Sequence, residues 1–192
     1  ELKNIFKEIE GTIVYATPDP REVLAISTHV ALVQNGSIGQ YGTVLDVYNK
    51  PTNVDVAMYF GYPPMNLIEC PIIEKGGRLY LQFFGDLDLD VTHLKNLFLD
   101  ERACIVGLRP NDLRLAEKPA EGTPSFSPKV LLSEVIGSET IMYLKYNDDE
   151  LQMLVPKIVG HEGETVQVSF SPESLYIYGK NSKQLITKYK KQ

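Results

Sequence analysis

A phosphate-handling site needs a glycine-rich loop followed by Lys and Ser or Thr, because backbone N–H groups and a magnesium ion must hold the phosphate oxygens. No G-x-x-x-x-G-K-[ST] run occurs in this sequence, and Gly76-Gly77, which precedes Arg78, reads as a hairpin turn. Asp86, Asp88 and Asp90 alternate with leucines, so at strand period they share one face. Such a face can hold a cation, but a solvated strand face is the simpler expectation. His29, His93 and His161 are scattered without metal-ligand spacing, so no metal site is expected. Cys70 and Cys104 form no C-x-x-C pair and read as reduced thiols of a cytosolic protein. Arg109-Pro110-Asn111-Asp112 has the form of a turn with Pro at its second position. Gly137-Ser138-Glu139 reads as a second turn, with a carboxylate that caps it or reaches a partner.

The chain has 192 residues, 43% apolar and 23% charged, which is a globular composition. A chain of this size buries about 70% of its unfolded surface, enough for a core without a disulfide or metal. Lys plus Arg total 19 against 25 Asp plus Glu, a net charge of −6. That balance opposes a nucleic-acid backbone as partner and outweighs the 11 tyrosines as a base-stacking platform. No apolar run approaches the ~20 residues of a membrane span, and no secretory signal opens the chain. The sequence starts at Glu1, already in a helical pattern and without an initiator Met, so the expectation is a fragment of a longer protein.

The elements that must position these residues follow from periodicity. Leu2, Ile5, Phe6 and Ile9 predict an amphipathic helix that Gly11 ends, and GTIVYA, which starts at Gly11, predicts a buried strand. Asp19 as N-cap, Pro20 at the first helical position and Glu22 as a capping-box partner predict a helix through VLAIS. HVALVQ and SIGQYG flank Asn35-Gly36, the strongest short hairpin signal. Thr43 with Asp46 caps a helix that ends at Pro51, and VDVAMYF gives another helical turn. Gly61 to Pro64 read as a linker. Beyond it come NLIECPII, RLYLQF, ACIVGL, LRLA, KVLLSEVI, TIMYLKY, LQMLVP, TVQVSF and LYIYG, short strands of a barrel or sandwich. Only HLKNLFLD reads as helical there, and the basic tail KNSKQLITKYKKQ reads as frayed.

Taken in order, these residues resemble the end of the ATP-binding subunit of ABC importers of the maltose and glycerol-phosphate type. The resemblance rests on Thr17-Pro18-Asp19, the Asn35-Gly36 hairpin, Gly42-Thr43, Tyr48, Pro51 and Pro63-Pro64-Met65-Asn66. It continues through VGLRPNDLRLAE, VIGSETIMYLKY and GETVQVSFSPESLYIY, which are similar to the TOBE segments of an OB-like regulatory domain. The implied fold class is α+β: a trailing α/β piece of an ABC ATPase domain over residues 1–61, then an all-β OB-like (TOBE) barrel over 62–192.

The resemblance implies a regulatory and dimerisation role in an importer of sugars or polyol phosphates. It places the protein in the cytoplasm, peripheral on the inner face of the membrane through the parent transporter. Partners would be a second ATP-binding subunit, in a homo- or heterodimer, and the membrane subunits, with the isolated chain expected as a homodimer. ATP and magnesium would belong to the parent subunit; this chain, lacking the phosphate loop, is expected to hold neither and to be no enzyme alone. Thr17 and Asp19 would be remnants of the nucleotide region. Pro18 stands at the switch-histidine position, where it can donate nothing from side chain or backbone, so the parent site is expected to be degenerate. His29 stands where the family has Arg and does not replace the switch. Arg109, Pro110 and Asp112, with Gly137, Ser138 and Glu139, would be the regulatory-domain motif residues. The reading from the residues alone also leaves open a free-standing OB module that binds a small ligand or nucleic acid.

Overall fold

The computed structural model describes Ile9 and residues 11–98, 101–116, 118–156 and 161–190. Backbone contacts divide the chain into two units, Glu1–Tyr62 and Pro63–Gln192.

The first unit contains α1 (Pro20–Ile26), β1 (His29–Gln34), β2 (Ser37–Thr43), α2 (Val44–Asn49) and α3 (Val54–Tyr59). Each helix starts on the side chain that its sequence provides. Asp19 accepts from the Arg21 N–H at 2.9 Å, Thr43 from Asp46 at 3.1 Å and Asn53 from Val56 at 2.9 Å. β1 and β2 pair antiparallel through Asn35 and Gly36, whose φ values of 49° and 78° give the type I′ turn that a two-residue hairpin needs. Val30 and Leu32 form the inner face of the hairpin and pack on Val47, Val56 and Phe60. Gln40 holds the α2–α3 connection to β2, donating to the Lys50 carbonyl at 3.0 Å and accepting from the Thr52 N–H at 2.9 Å.

The strand expected at GTIVYA does not form. Residues 12–17 are irregular, Val14 is 92% exposed, and none of them pairs with a strand among the described residues. A β-branched run becomes a strand only when a neighbouring strand takes its backbone hydrogen bonds, and no strand among the described residues pairs with this one. The helix expected from Leu2 to Ile9 lies outside the described residues except for Ile9, which is exposed.

The second unit is almost entirely β. Its strands are β3 (Asn66–Lys75), β4 (Arg78–Phe83), β5 (Leu87–Asp90), β6 (Ala103–Leu108), β7 (Leu113–Leu115), β8 (Ser125–Phe126) and β9 (Lys129–Ile136). They continue with β10 (Glu139–Tyr146), β11 (Asp149–Pro156), β12 (Val168–Phe170), β13 (Tyr176–Gly179) and β14 (Leu185–Lys188). They form a six-stranded sheet in the order β14-β13-β6-β3-β4-β5 and two three-stranded sheets, β11-β10-β9 and β7-β12-β8. Among the described residues all pairings are antiparallel, and one core fills the unit, including Leu81, Phe83, Val106, Leu108, Leu144 and Phe170. This is the all-β, OB-like architecture expected after the linker.

Pro71 lies inside β3 without breaking it. The Ile72 N–H bonds to the Arg102 carbonyl at 2.9 Å, so by antiparallel alternation the next pair, Pro71 with Ala103, carries no ladder bond. The missing N–H is therefore not needed.

Two expectations change here. The helix expected at HLKNLFLD is a 3-10 turn over Thr92–Leu97, with Leu99 and Asp100 outside the described residues; Thr92 is spent on β4, its hydroxyl accepting the Leu79 N–H at 2.9 Å. The tail is not frayed as far as Lys190, where the described residues end. β14 pairs with β13, and Tyr189 is buried, its N–H bonded to the Leu175 carbonyl at 2.9 Å. Its hydroxyl reaches the Asp90 carbonyl at 3.4 Å, and His93 Nε2 donates to the Lys190 carbonyl at 3.0 Å. These bonds draw the two ends of the six-stranded sheet together.

Candidate functional site

The segment from Tyr15 to Glu22 is built around one carboxylate. Glu22 Oε2 accepts from the Thr17 hydroxyl at 2.7 Å and from the Tyr15 hydroxyl at 3.1 Å. Thr17 Oγ1 in turn accepts the Asp19 N–H at 3.1 Å. The capping box expected between Asp19 and Glu22 is thus relayed: Thr17 stands between the N-cap backbone and the Glu22 side chain. Asp19 is fully engaged with Arg21, which donates from its backbone N–H at 2.9 Å, from Nε at 3.1 Å and from Nη2 at 2.9 Å. The Arg21 guanidinium holds the Asp19 carboxyl below the usual carboxylate range.

Pro18 lies between these two anchored residues and offers only its carbonyl. Tyr59, 41 residues further along on α3, donates its hydroxyl to that carbonyl at 2.8 Å. Nothing in the spacing of the sequence marks Tyr59 for this role, because both ends of the bond are set by how α3 packs. The segment is therefore held by Glu22, Arg21 and Tyr59.

In the second unit, Arg109 leads into the 3-10 turn Pro110–Asp112. It is 3% exposed, with its guanidinium 5.8 Å from the centre of the Tyr176 ring. Lys188 Nζ lies 4.6 Å from the same ring centre and 3.3 Å from its hydroxyl. Burial raises the Asp112 carboxyl above its ordinary value, against the pull of Lys188, Arg114 and Arg109. Gly137 takes φ 80° in the β9–β10 turn with Ser138. Glu139 opens β10 opposite Ile136 and Pro156 and is exposed. The two motif groups lie on separate turns.

Asn66 does more than mark a junction. Its side-chain amide donates to the Gln152 carbonyl at 2.8 Å and accepts the Gln152 N–H at 2.7 Å, so it acts as a strand residue for the edge of β11. Met65 before it is 2% exposed, under Gly107, where an added Cβ would lie 2.3 Å from the Met65 sulfur.

The remaining candidates have structural partners. Asp86 accepts from the Tyr146 hydroxyl at 2.8 Å, Asp88 pairs with Lys75, and Asp90 accepts the Thr92 N–H at 2.9 Å. His29 stacks on Tyr41 with ring centres 5.8 Å apart, and His161 donates its N–H to Glu164 at 2.9 Å. Among the described residues, no three His, Cys, Asp or Glu side chains are grouped to hold a metal ion.

Residues 106–177 match the TOBE domain family. Over 189 residues the chain is 30% identical to the multiple sugar-binding transport ATP-binding protein MsmK of Streptococcus mutans, covering 89% of this chain and 49% of MsmK. It is 29% identical over 190 residues to the trehalose/maltose import ATP-binding protein MalK of Thermococcus litoralis, covering 95% and 50%. It is 27% identical over 187 residues to the sn-glycerol-3-phosphate import ATP-binding protein UgpC of Psychromonas ingrahamii, covering 93% and 47%. A crystal structure of the molybdate-binding protein ModG overlays 58% of this chain and 94% of its own, at 11% identity and a TM-score of 0.45. The strand pairings above, not that overlay, define the fold. The chain spans about half the length of the curated relatives that it matches. It carries a TOBE domain over residues 106–177 and is similar to the C-terminal halves of ATP-binding subunits named for sugar and glycerol-phosphate import.

Proposed function

We propose that this chain is the regulatory and dimerisation portion of an importer ATP-binding subunit, and that the ATP site of its parent is degenerate. The observation that carries the second half is Pro18, at the place where the family has its switch histidine. A proline there has no side-chain donor for the nucleotide, and its carbonyl is already taken by Tyr59. A donor aimed at a reacting phosphoryl oxygen is worth about 3 kcal/mol, so its loss slows turnover by about two orders of magnitude.

In this reading the parent subunit binds ATP and magnesium with its other half, and a second, competent ATP-binding subunit supplies hydrolysis. The TOBE unit meets its counterpart in that dimer while the membrane subunits carry a sugar or polyol phosphate. The protein works at the cytoplasmic face of the membrane. The relatives support the transport class through their names, and the relayed cap at Thr17 and Glu22 supports a structural rather than catalytic role for Asp19.

The test is Pro18→His in the full-length parent, assembled with its transporter. ATP turnover is expected to rise. An unchanged rate overturns the degenerate-site reading. Separately, titration of this chain with magnesium-ATP is expected to show no saturable heat, and micromolar binding would contradict that expectation.

A further inference from the structure

We propose that Asn35 is a site of spontaneous deamidation, with water as co-reactant, and that its conversion loosens the β1–β2 hairpin. In this reaction the backbone nitrogen of Gly36 attacks the side-chain carbonyl carbon of Asn35. The new N–Cγ bond closes a five-membered succinimide, and the Cγ–Nδ2 bond breaks to release ammonia with the proton from Gly36. Water then opens the ring at either carbonyl, giving aspartate or isoaspartate.

Three observations single out this residue. Asn35 is followed by glycine, while every other asparagine is followed by a residue whose side chain crowds the attacking nitrogen. A Cβ added at Gly36 would meet nothing within 4 Å, so nothing encloses the turn. Asn35 and Gly36 are both exposed, and the β1–β2 register closes at Gln34 with Ser37, leaving the two residues between as the open loop.

Asn147 provides the internal contrast. It also sits at a hairpin tip with φ near that of Asn35, at 49°. Its amide, however, donates to the Phe84 carbonyl at 2.7 Å, and Asp148 follows it. The Asn35 amide makes no hydrogen bond among the described residues. Ring closure requires the left-handed backbone at Asn35 to relax, so the reaction rate reports how readily this turn opens.

The product matters because the turn has only two residues. Isoaspartate inserts an extra methylene into the main chain, and the type I′ geometry depends on positive φ at both positions. Val30 and Leu32, on the inner face of the hairpin, then lose their fixed seat against Val47, Val56 and Phe60.

The experiment incubates the intact chain at mildly alkaline pH and body temperature, then follows the one-dalton mass gain by peptide mapping. Isoaspartate is counted with protein isoaspartyl methyltransferase. The peptide carrying Asn35 is expected to convert several-fold faster than those carrying Asn111 or Asn147, with isoaspartate in it. Asn35→Asp, which keeps a turn-forming residue, is expected to release no ammonia from this peptide. Conversion at Asn35 no faster than at Asn147 overturns the proposal, as does a mass gain at Asn35 without methyltransferase labelling.

Discussion

The Tyr59 hydroxyl donates to the Pro18 carbonyl at 2.8 Å and so ties the segment before α1 to the helix that ends the first unit. One hydrogen bond of this kind contributes about 1 kcal/mol. Tyr59→Phe keeps the ring against Phe60 and removes only the donor. The amide protons at the start of α1, including that of Val23 bonded to the Asp19 carbonyl, are expected to exchange several-fold faster in the variant. Unchanged exchange would mean that Glu22 and Arg21 hold the segment unaided.

Asn66→Ala removes both bonds to Gln152 and leaves a donor and an acceptor unpaired at the edge of β11. Each buried, unsatisfied group costs about 1–3 kcal/mol. Urea unfolding of the second unit is expected to shift to lower midpoint by an amount of that order, with little change in slope. A shift below that of an exposed control substitution contradicts the stitching role.

Gly107 is required by contact rather than by backbone angle. A Cβ there would sit 2.3 Å from the Met65 sulfur and 3.1 Å from the Tyr178 ring. Gly107→Ala is expected to destabilise by about 1–3 kcal/mol through overpacking. Adding Met65→Ala empties the space, so the double variant should cost less than the sum of the singles. Additive losses in thermal unfolding would place the strain elsewhere.

Cys70 and Cys104 face each other across β3 and β6, and both are fully buried. Burial pushes Cys104 from 9.0 up to about 12, while burial and then the neighbouring thiol push Cys70 well above its ordinary value. An acid raised on folding keeps its proton in the folded state and loses it on unfolding. Stability therefore falls as pH rises through the window from 9.0 toward about 12. Cys104→Val is expected to flatten that alkaline decline in part, while the parts owed to buried Cys70 and Tyr178 remain. An identical decline in the variant would refute the assignment.

Features set by neighbours in the chain were legible in the sequence. The caps at Asp19 and Thr43 and the turn at Asn35-Gly36 need only residues within one turn, and each formed where its local chemistry placed it. Features set by distant partners were not. GTIVYA has the composition of a strand, but composition does not supply a neighbour. The last strand looked like a basic tail because its anchor, Tyr189, is buried only once Leu175 and Asp90 are brought to it. Tyr59 reads as one apolar position in a short helix, and its bond to Pro18 exists only in three dimensions. Among the motif residues, Asn66 was visible as a signature but not as a bond to β11.

The order of strands in the six-stranded sheet has a kinetic consequence. β6 sits between β3 and β13, with Cys104 opposite Cys70 on one side and Gly107 opposite Tyr176 on the other. Hairpins such as β3–β4 and β10–β11 close over a few residues and can form in microseconds. The centre of the sheet cannot, because it must wait for β13, which follows β7 to β12 in the chain. Folding of this unit should therefore show an early phase of isolated hairpins and a slow, cooperative step when β13 docks on β6. In the interval between them the flank of β6 is an open edge, and that is when the unit is most exposed to aggregation.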